Sequence, residues 1–213
     1  MKAATPLVFR GALVLFVVVV AVEDAVRTDF SPLDHWVSHL SIGPWGWIQI
    51  LNFLVAGSAL VAFGLFLHRR VADVGAWPGR MVTAVGIAFG AAGLFVSDPP
   101  PDSQYDAAVS WHGQVHDIAG GLFFVCLTAA CVVTRAMVSR VWGWIAAAGV
   151  LGFWIVASVL AAVNFADGGP SLPSGLAERL SVLIGFAWLF AVATQFKSQP
   201  AVSIRTPAVR RSQ

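Results

Sequence analysis

Four of the five histidines in this chain fall in two H-x-x-x-H pairs, His35 with His39 and His112 with His116. On a helix, residues four apart lie on the same face, so each pair presents two imidazole rings to one centre. The second pair is better placed, because it lies at the start of a long apolar stretch. The first pair precedes Pro44, and the sequence does not establish that its segment is helical. The spacing raises the hypothesis of a metal site.

A carboxylate, a hydroxyl and a guanidinium complete the predicted site. Neutral imidazoles and one carboxylate suit Zn²⁺, and a catalytic zinc has three protein ligands and a bound water. The predicted set comprises His39, His112 and His116 as zinc ligands, Asp98 as a ligand or base, and Ser38 and Arg179 as groups that bind the developing anion. The corresponding function is a metal-dependent hydrolase or transferase that acts on a lipid or envelope substrate.

Two other interpretations stay open, because no H-E-x-x-H motif is present to supply a base beside the ligands. In the first, histidines from two helices bind a haem iron. In the second, the polar groups lie at the membrane interface and contact one another, water and lipid headgroups. The protein would then be a non-enzymatic binding, assembly or transport-related protein. Zinc, haem and no cofactor are therefore all alternatives at this point.

The elements that position these residues are transmembrane helices. The chain is 58% hydrophobic and 11% charged, with a mean hydropathy of +0.78, whereas soluble domains carry about 25% charged residues. Six apolar stretches, each long enough to cross the ~30 Å of bilayer hydrocarbon, cover residues 7–22, 44–67, 81–97, 111–134, 141–165 and 176–196. Residues 1–196 are thus predicted to form one all-α domain, a polytopic six-helix bundle. Residues 197–213 are predicted to be a basic, disordered cytoplasmic tail.

The distribution of Lys and Arg predicts the orientation. With both termini in the cytoplasm, the outer segments hold only Arg27 and Arg179 of the 13 basic residues, as the positive-inside rule requires. The chain is therefore predicted to be a multi-pass protein of the cell membrane. A cleaved secretory signal is the alternative for the first span, but Glu23 and Asp24 interrupt the region where a small-residue cleavage site would lie. Outside the tail, the Lys and Arg residues do not form the basic stripe typical of nucleic-acid-binding proteins, so no nucleic-acid partner is predicted.

Glycines in the second and third spans predict close helix contacts. Gly86 and Gly90 have the GxxxG spacing that lets two helix backbones approach each other in a membrane. Gly57 lies on the second span and has the same expected role.

Several short motifs resemble those of a bacterial six-helix membrane family known only as domain of unknown function 998. The matching segments, in chain order, are Ser38-His39-Leu40-Ser41 with Gly46-Trp47-Ile48-Gln49 and Asn52-Phe53, then Asp98-Pro99, then Trp111-His112-Gly113 with His116-Asp117, and finally Gly175-Leu176 with Glu178-Arg179-Leu180. The resemblance extends from about residue 30 to residue 196 and implies the six-helix membrane fold. It implies no activity, since none is established for the family.

The family's polar positions coincide with the predicted site at Ser38, His39, Asp98, His112, His116, Glu178 and Arg179. His35 departs from the family pattern, so the second histidine pair is the better supported. A looser similarity is to membrane hydrolases of the alkaline-ceramidase and adiponectin-receptor type. Those hydrolases place a Ser, an Asp and three His around zinc, but their H-x-x-x-H motif lies on the last of seven helices.

Overall fold

The computed structural model describes residues 5–71, 75–101, 103–105, 108–167 and 172–196, and within these ranges every regular element is a helix. The prediction of an all-α fold is therefore confirmed. The elements are α1 (Thr5–Val26), a 3₁₀ helix (Val37–Ser41), α2 (Gly46–Arg70), α3 (Trp77–Leu94), α4 (Trp111–Val138), α5 (Arg140–Asp167) and α6 (Ser174–Thr194). The tail predicted at 197–213 lies outside the described residues.

Five of these helices, α1, α2, α4, α5 and α6, are long and apolar enough to cross a membrane. A lipid environment favours helices because every backbone N–H and C=O is then satisfied within its own segment. The chain is thus a multi-pass helical membrane protein. The third predicted span is the exception, because α3 has only 18 residues and carries Pro78 and Arg80 in its first turn. It ends at Leu94, before the predicted boundary at residue 97.

The backbones of α2 and α3 are in direct contact. A Cβ atom added to Gly86 would lie 2.6 Å from the carbonyl oxygen of Gly57, and one added to Gly57 would lie 2.9 Å from the carbonyl oxygen of Gly86. These two glycines therefore have the close-contact role that the sequence predicts. The backbone of Gly90 takes part in the same contact, since a Cβ atom on Gly57 would lie 2.9 Å from its nitrogen, but a Cβ atom on Gly90 itself would meet nothing within 4 Å.

Five phenylalanine rings, one each from α1, α2, α3, α4 and α6, form a cluster at the centre of the bundle. Phe89 lies in the middle, with ring centroids 5.1 Å from Phe16, 4.7 Å from Phe53, 4.6 Å from Phe123 and 5.6 Å from Phe186. Most of these pairs are tilted or edge-to-face, the geometry that ring quadrupoles favour. We call this group the phenylalanine cluster.

The two ends of the bundle differ in chemistry. At one end the α1–α2 and α3–α4 connections lie with the start of α6, and we call it the histidine end. The opposite end carries Arg69 and Arg70 at the end of α2, Arg80 at the start of α3, and Arg135 and Arg140 around the α4–α5 junction. We call it the arginine end. The histidine end also carries two arginines, Arg27 and Arg179, each paired with a carboxylate.

Candidate functional site

The α1–α2 connection is fixed by a buried arginine. The guanidinium of Arg27 donates to both carboxylate oxygens of Asp29 and to the carbonyl oxygens of Leu40 and Ile42. This guanidinium holds the pKa of the Asp29 carboxyl below its ordinary value. The hydroxyl of Tyr105 donates to the same carboxylate at 3.1 Å, which ties in the α3–α4 connection. The 3₁₀ helix is thereby held against the rest of the histidine end.

The first turns of α6 pack directly on this segment. The Ser174 hydroxyl donates to the carbonyl of Asp34 at 2.6 Å, and the N–H of Val37 donates to the Glu178 carboxylate at 2.9 Å. A Cβ atom on Gly175 would lie 2.2 Å from the carbonyl oxygen of His35, so this contact requires glycine. The α1–α2 connection, the described part of the α3–α4 connection and the start of α6 therefore form one layer over the helices.

A cavity of about 830 Å³ lies beneath this layer and has two chemically different regions. Its polar region is lined by side chains from the connections and the adjoining helix turns, including Ser38, His39, Asp98, His116 and Glu178. Its apolar region reaches the phenylalanine cluster through Phe16, Phe53, Phe89 and Phe123, and Phe124 and Trp154 line the side between α4 and α5. The cavity is therefore amphipathic.

His116 is buried and joins α4 to the end of α3. Its Nδ1 atom lies 2.8 Å from each of two carbonyl oxygens, those of Ala92 and Phe95. Carbonyl oxygens only accept hydrogen bonds, so Nδ1 carries the proton and a neutral ring has its lone pair on Nε2. The ring also satisfies carbonyls that the last turn of a helix leaves without partners. His116 therefore offers a base or a ligand atom to the cavity.

His39 has the opposite tautomer. Its Nδ1 accepts the backbone N–H of Trp36 at 3.1 Å, so the neutral ring carries its proton on Nε2. Burial, together with His35, His116 and Arg179 nearby, lowers the pKa of His39 to about 3. His35 has the same arrangement, because its Nδ1 accepts the N–H of Ser31 at 2.9 Å. His35 precedes the 3₁₀ helix, so the first H-x-x-x-H pair does not lie on one α-helix, although the two ring centroids are 5.8 Å apart.

Asp98 and His112 hold the start of α4. The backbone N–H and the hydroxyl of Ser110 both donate to the Asp98 carboxylate, and Ser110 in turn caps α4 by accepting the N–H of Gly113. His112 is exposed, and its Nδ1 lies 2.8 Å from the Ser110 hydroxyl and 3.2 Å from the carbonyl oxygen of Val96. Asp98 lines the cavity, whereas His112 does not.

Arg179 is engaged in a bidentate ion pair. Its Nε and Nη2 atoms donate to the two carboxylate oxygens of Asp24 at 2.9 and 2.7 Å, and its Nη1 donates to the carbonyls of His35 and Gly175. Bidentate pairing fixes both side chains in one geometry. The guanidinium therefore joins α1, α6 and the α1–α2 connection and does not line the cavity.

Comparison with known proteins identifies the family. A family model described as protein of unknown function (DUF998) matches residues 11–195. The chain belongs to the DUF998 family. No curated protein and no solved structure matches it. The resemblance inferred from the short motifs is thus confirmed for nearly the whole chain. The family is described as of unknown function, so membership assigns no activity to this protein.

The zinc set predicted for this DUF998 protein does not fit the observed geometry. His39 uses Nδ1 to accept a backbone N–H, so its Nε2 carries a proton and has no lone pair for a metal. His112 lies outside the cavity that contains His39 and His116. Within the described ranges, no three His, Cys, Asp or Glu side chains are grouped so that they could hold a metal ion. What the site offers instead is a hydrogen-bond donor on His39 and an acceptor on His116.

Sequence reasoning missed two features of the DUF998 cavity. The first is its apolar region, because phenylalanines scattered over separate helices give no local signal that they will meet. The second is a pair of buried polar atoms, Ser97 Oγ and Trp36 Nε1, which line the cavity wall and have no hydrogen-bond partner among the described residues. Native proteins rarely leave such atoms unsatisfied.

Proposed function

We propose that this DUF998 protein binds an amphipathic, lipid-like molecule in the cavity at its histidine end. The observation that carries the proposal is the division of one 830 Å³ cavity into a polar region and an aromatic region. Ligand sites of this size are mostly apolar with a few polar groups that fix orientation. The headgroup would contact His39, His116 and Glu178, and the hydrocarbon chain would extend towards the phenylalanine cluster.

The proposal includes a six-span topology in the cell membrane with both termini in the cytoplasm. It is supported by the arginine end, where α2, α3, α4 and α5 carry their basic residues, because cationic side chains favour the cytoplasmic face. It is also supported by α3, which lies against α2 along Gly57 and Gly86 and so needs less apolar surface of its own. The cavity would then open on the outer side. Reporter fusions at residues 75 and 213 are expected to be cytoplasmic, and an outside position for either would refute the topology.

A hydrolase or transferase acting on the same ligand is the second candidate. It is favoured by the complementary tautomers, since His116 Nε2 can accept a proton and His39 Nε2–H can donate a hydrogen bond to a developing negative charge within the same cavity. In this version Ser38 contributes a hydroxyl beside the headgroup, Asp98 positions the start of α4, and Arg179 holds the His35 backbone. Thin-layer analysis of labelled membrane lipids would test it: product formation that His116→Gln abolishes supports an enzyme, and no product leaves lipid binding as the function.

Lipid binding itself can be tested by filling the cavity. Gly120 lines the cavity on α4, and a Cβ atom there meets nothing within 4 Å, so a larger side chain can enter the space without a backbone clash. Gly152 on α5 offers a matched control, because it has the same open space but is exposed and does not line the cavity. Both positions lie inside helices, so the two substitutions have the same effect on helix propensity.

The assay measures tritiated hexadecanol retained by protein purified in dodecyl maltoside and displaced by excess unlabelled hexadecanol. Gly120→Phe is expected to lower this displaceable binding at least about tenfold, which is the effect of losing ~1.4 kcal/mol of contact. Gly152→Phe is expected to bind like the wild type. Equal binding by all three proteins, or no displaceable binding by any, would refute the proposal.

A further inference from the structure

The charge on the cavity wall indicates which headgroup the ligand carries. Four carboxylates line the cavity, those of Asp34, Asp98, Asp117 and Glu178, and no Lys or Arg is found among its described lining residues. The imidazole of His39 adds no positive charge at neutral pH, because its pKa is lowered to about 3. Phosphate and carboxylate ligands are normally bound by Arg, Lys or free helix N-termini. The described lining of this cavity offers an anion no Lys or Arg side chain.

The two arginines at the histidine end do not change this balance. The guanidinium of Arg179 is paired with Asp24, and that of Arg27 is paired with Asp29. The start of α4 is occupied by the Ser110 hydroxyl, whose own partner is the Asp98 carboxylate. The nearby cationic groups are therefore bound by carboxylates of the chain.

Glu178 is the carboxylate that most requires a partner. Glu178 is only 6% exposed, and among the described residues it accepts a single hydrogen bond, from the Val37 N–H to Oε2. No Lys, Arg or His within the described ranges forms a salt bridge with it. A buried carboxylate with one hydrogen bond is costly to ionise unless a cation or further donors accompany it. A cation in the cavity would provide this partner.

Two further residues of the same wall suit a protonated amine. Ser97 is 6% exposed, and its Oγ atom has no hydrogen-bond partner among the described residues, so it can accept from an ammonium group. The Trp36 ring lines the cavity one residue before Val37, which binds Glu178. An indole face attracts cations within about 6 Å of the ring. Ser97 thus adds to this wall a hydroxyl that has no hydrogen-bond partner among the described residues.

We infer that the ligand of this cavity is a long-chain amine, whose ammonium group pairs with Glu178 and whose chain lies against the phenylalanine cluster. The inference rests on the proposed function and specifies its ligand class. An anionic amphiphile of the same length would place its charge among carboxylates and bind more weakly. An uncharged one would gain the apolar contacts alone.

The test compares competitors of one chain length against tritiated hexadecanol in the same detergent at pH 7. Hexadecylamine is expected to displace the label at a concentration at least tenfold below that of hexadecanol, and hexadecanoate is expected to need a higher one. N-hexadecylacetamide, which keeps the nitrogen but carries no charge, is expected to behave like the alcohol. If the acetamide matches the amine, or hexadecanoate is the best competitor, the inference is wrong while hexadecanol binding, and with it the proposed function, stands.

The variant Glu178→Gln identifies the carboxylate. Its amide oxygen can still accept the Val37 N–H, so we expect hexadecanol binding to be retained and the advantage of the amine over the acetamide to be lost. Asp117→Asn is the matched control, because Asp117 lines the cavity but is exposed. It should keep at least half of that advantage. A Glu178→Gln protein that binds hexadecanol and still prefers the amine tenfold would overturn the assignment. If the variant loses hexadecanol binding altogether, the comparison of amine with acetamide in the wild type decides.

Discussion

The ion pair with Asp24 gives Arg179 a structural role, whereas the sequence predicts that Arg179 binds an anion. The two side chains are 12% and 18% exposed and are joined by two hydrogen bonds, and the guanidinium makes two more to backbone carbonyls. Removing one member of a buried pair typically costs 3–5 kcal/mol. Allowing for the partial exposure of this pair, Asp24→Asn should cost about 2 kcal/mol of unfolding free energy. Arg179→Gln should cost about 3 kcal/mol, because the carbonyls of His35 and Gly175 also lose their donor.

A double-mutant cycle measures the pair directly. Unfolding of the two single variants and the double variant, followed by circular dichroism during titration with sodium dodecyl sulfate in mixed micelles, should give a coupling energy of about 1–2 kcal/mol. Arg10→Gln is the control, since Arg10 is at the arginine end and lies over the Phe190 ring. A coupling energy near zero, with Arg179→Gln as stable as the wild type, would refute the structural role. If that stable variant lost binding to anionic amphiphiles, the result would support the predicted anion-binding role of Arg179.

Three further predictions concern stability. The pKa of His39 is about 3 against 6.5 for the free side chain, so the unfolded chain takes up a proton first as the pH falls. The free energy of unfolding therefore falls below about pH 6.5, by about 1.4 kcal/mol per pH unit for this group. Unfolding measured at pH 7.5 and 5.5 should show a smaller loss of stability in His39→Gln than in the wild type. Gly86→Ala should lower the melting temperature by several degrees because it meets backbone, while Gly90→Ala has open space and should be neutral or stabilising. Gly113→Ala places a Cβ atom 2.2 Å from the Asp98 carboxylate. Because this disrupts the N-cap of α4, the variant should lose about 1–2 kcal/mol of unfolding free energy in the same detergent titration. Unchanged stability would contradict the cap.

The helical fold could be predicted from the sequence because the bilayer imposes one rule on every segment. Apolar stretches of sufficient length must be helices, since no other open structure satisfies its backbone in hydrocarbon. The rule works best for α5, which has few buried residues and is apolar along its length. It works least well for α3, whose contact with α2 through Gly86 replaces part of the apolar surface that the rule counts. Packing between helices is a property of two segments and cannot be read from one.

The candidate site could be predicted only as far as residue type and approximate depth. Ser38, His39, Asp98 and His116 do line one cavity, because each lies near the histidine end of its own segment. The partners of Asp98 and His116 were not predictable, since Asp98 accepts from Ser110 and His116 contacts the carbonyls of Ala92 and Phe95, which lie in other segments. The partner of His39 is local, the N–H of Trp36. For Arg179 the partner that decides its role is Asp24, which is 155 residues away in the sequence.

The α4 histidine pair explains why the metal hypothesis was attractive and why the geometry disfavours it. An i, i+4 spacing does bring His112 and His116 to the same side of α4, as helical periodicity requires. That side faces the end of α3, where the carbonyls of Ala92, Phe95 and Val96 have no further helical turn to bond them. Two imidazoles four residues apart match a row of such carbonyls as well as they match a metal ion. What distinguishes the two cases is the second ring nitrogen: on His116 it stays available to the cavity, and on exposed His112 it does not reach it. The spacing thus corresponds to two histidines that bond the carbonyls at the end of α3, one of which also lines the cavity.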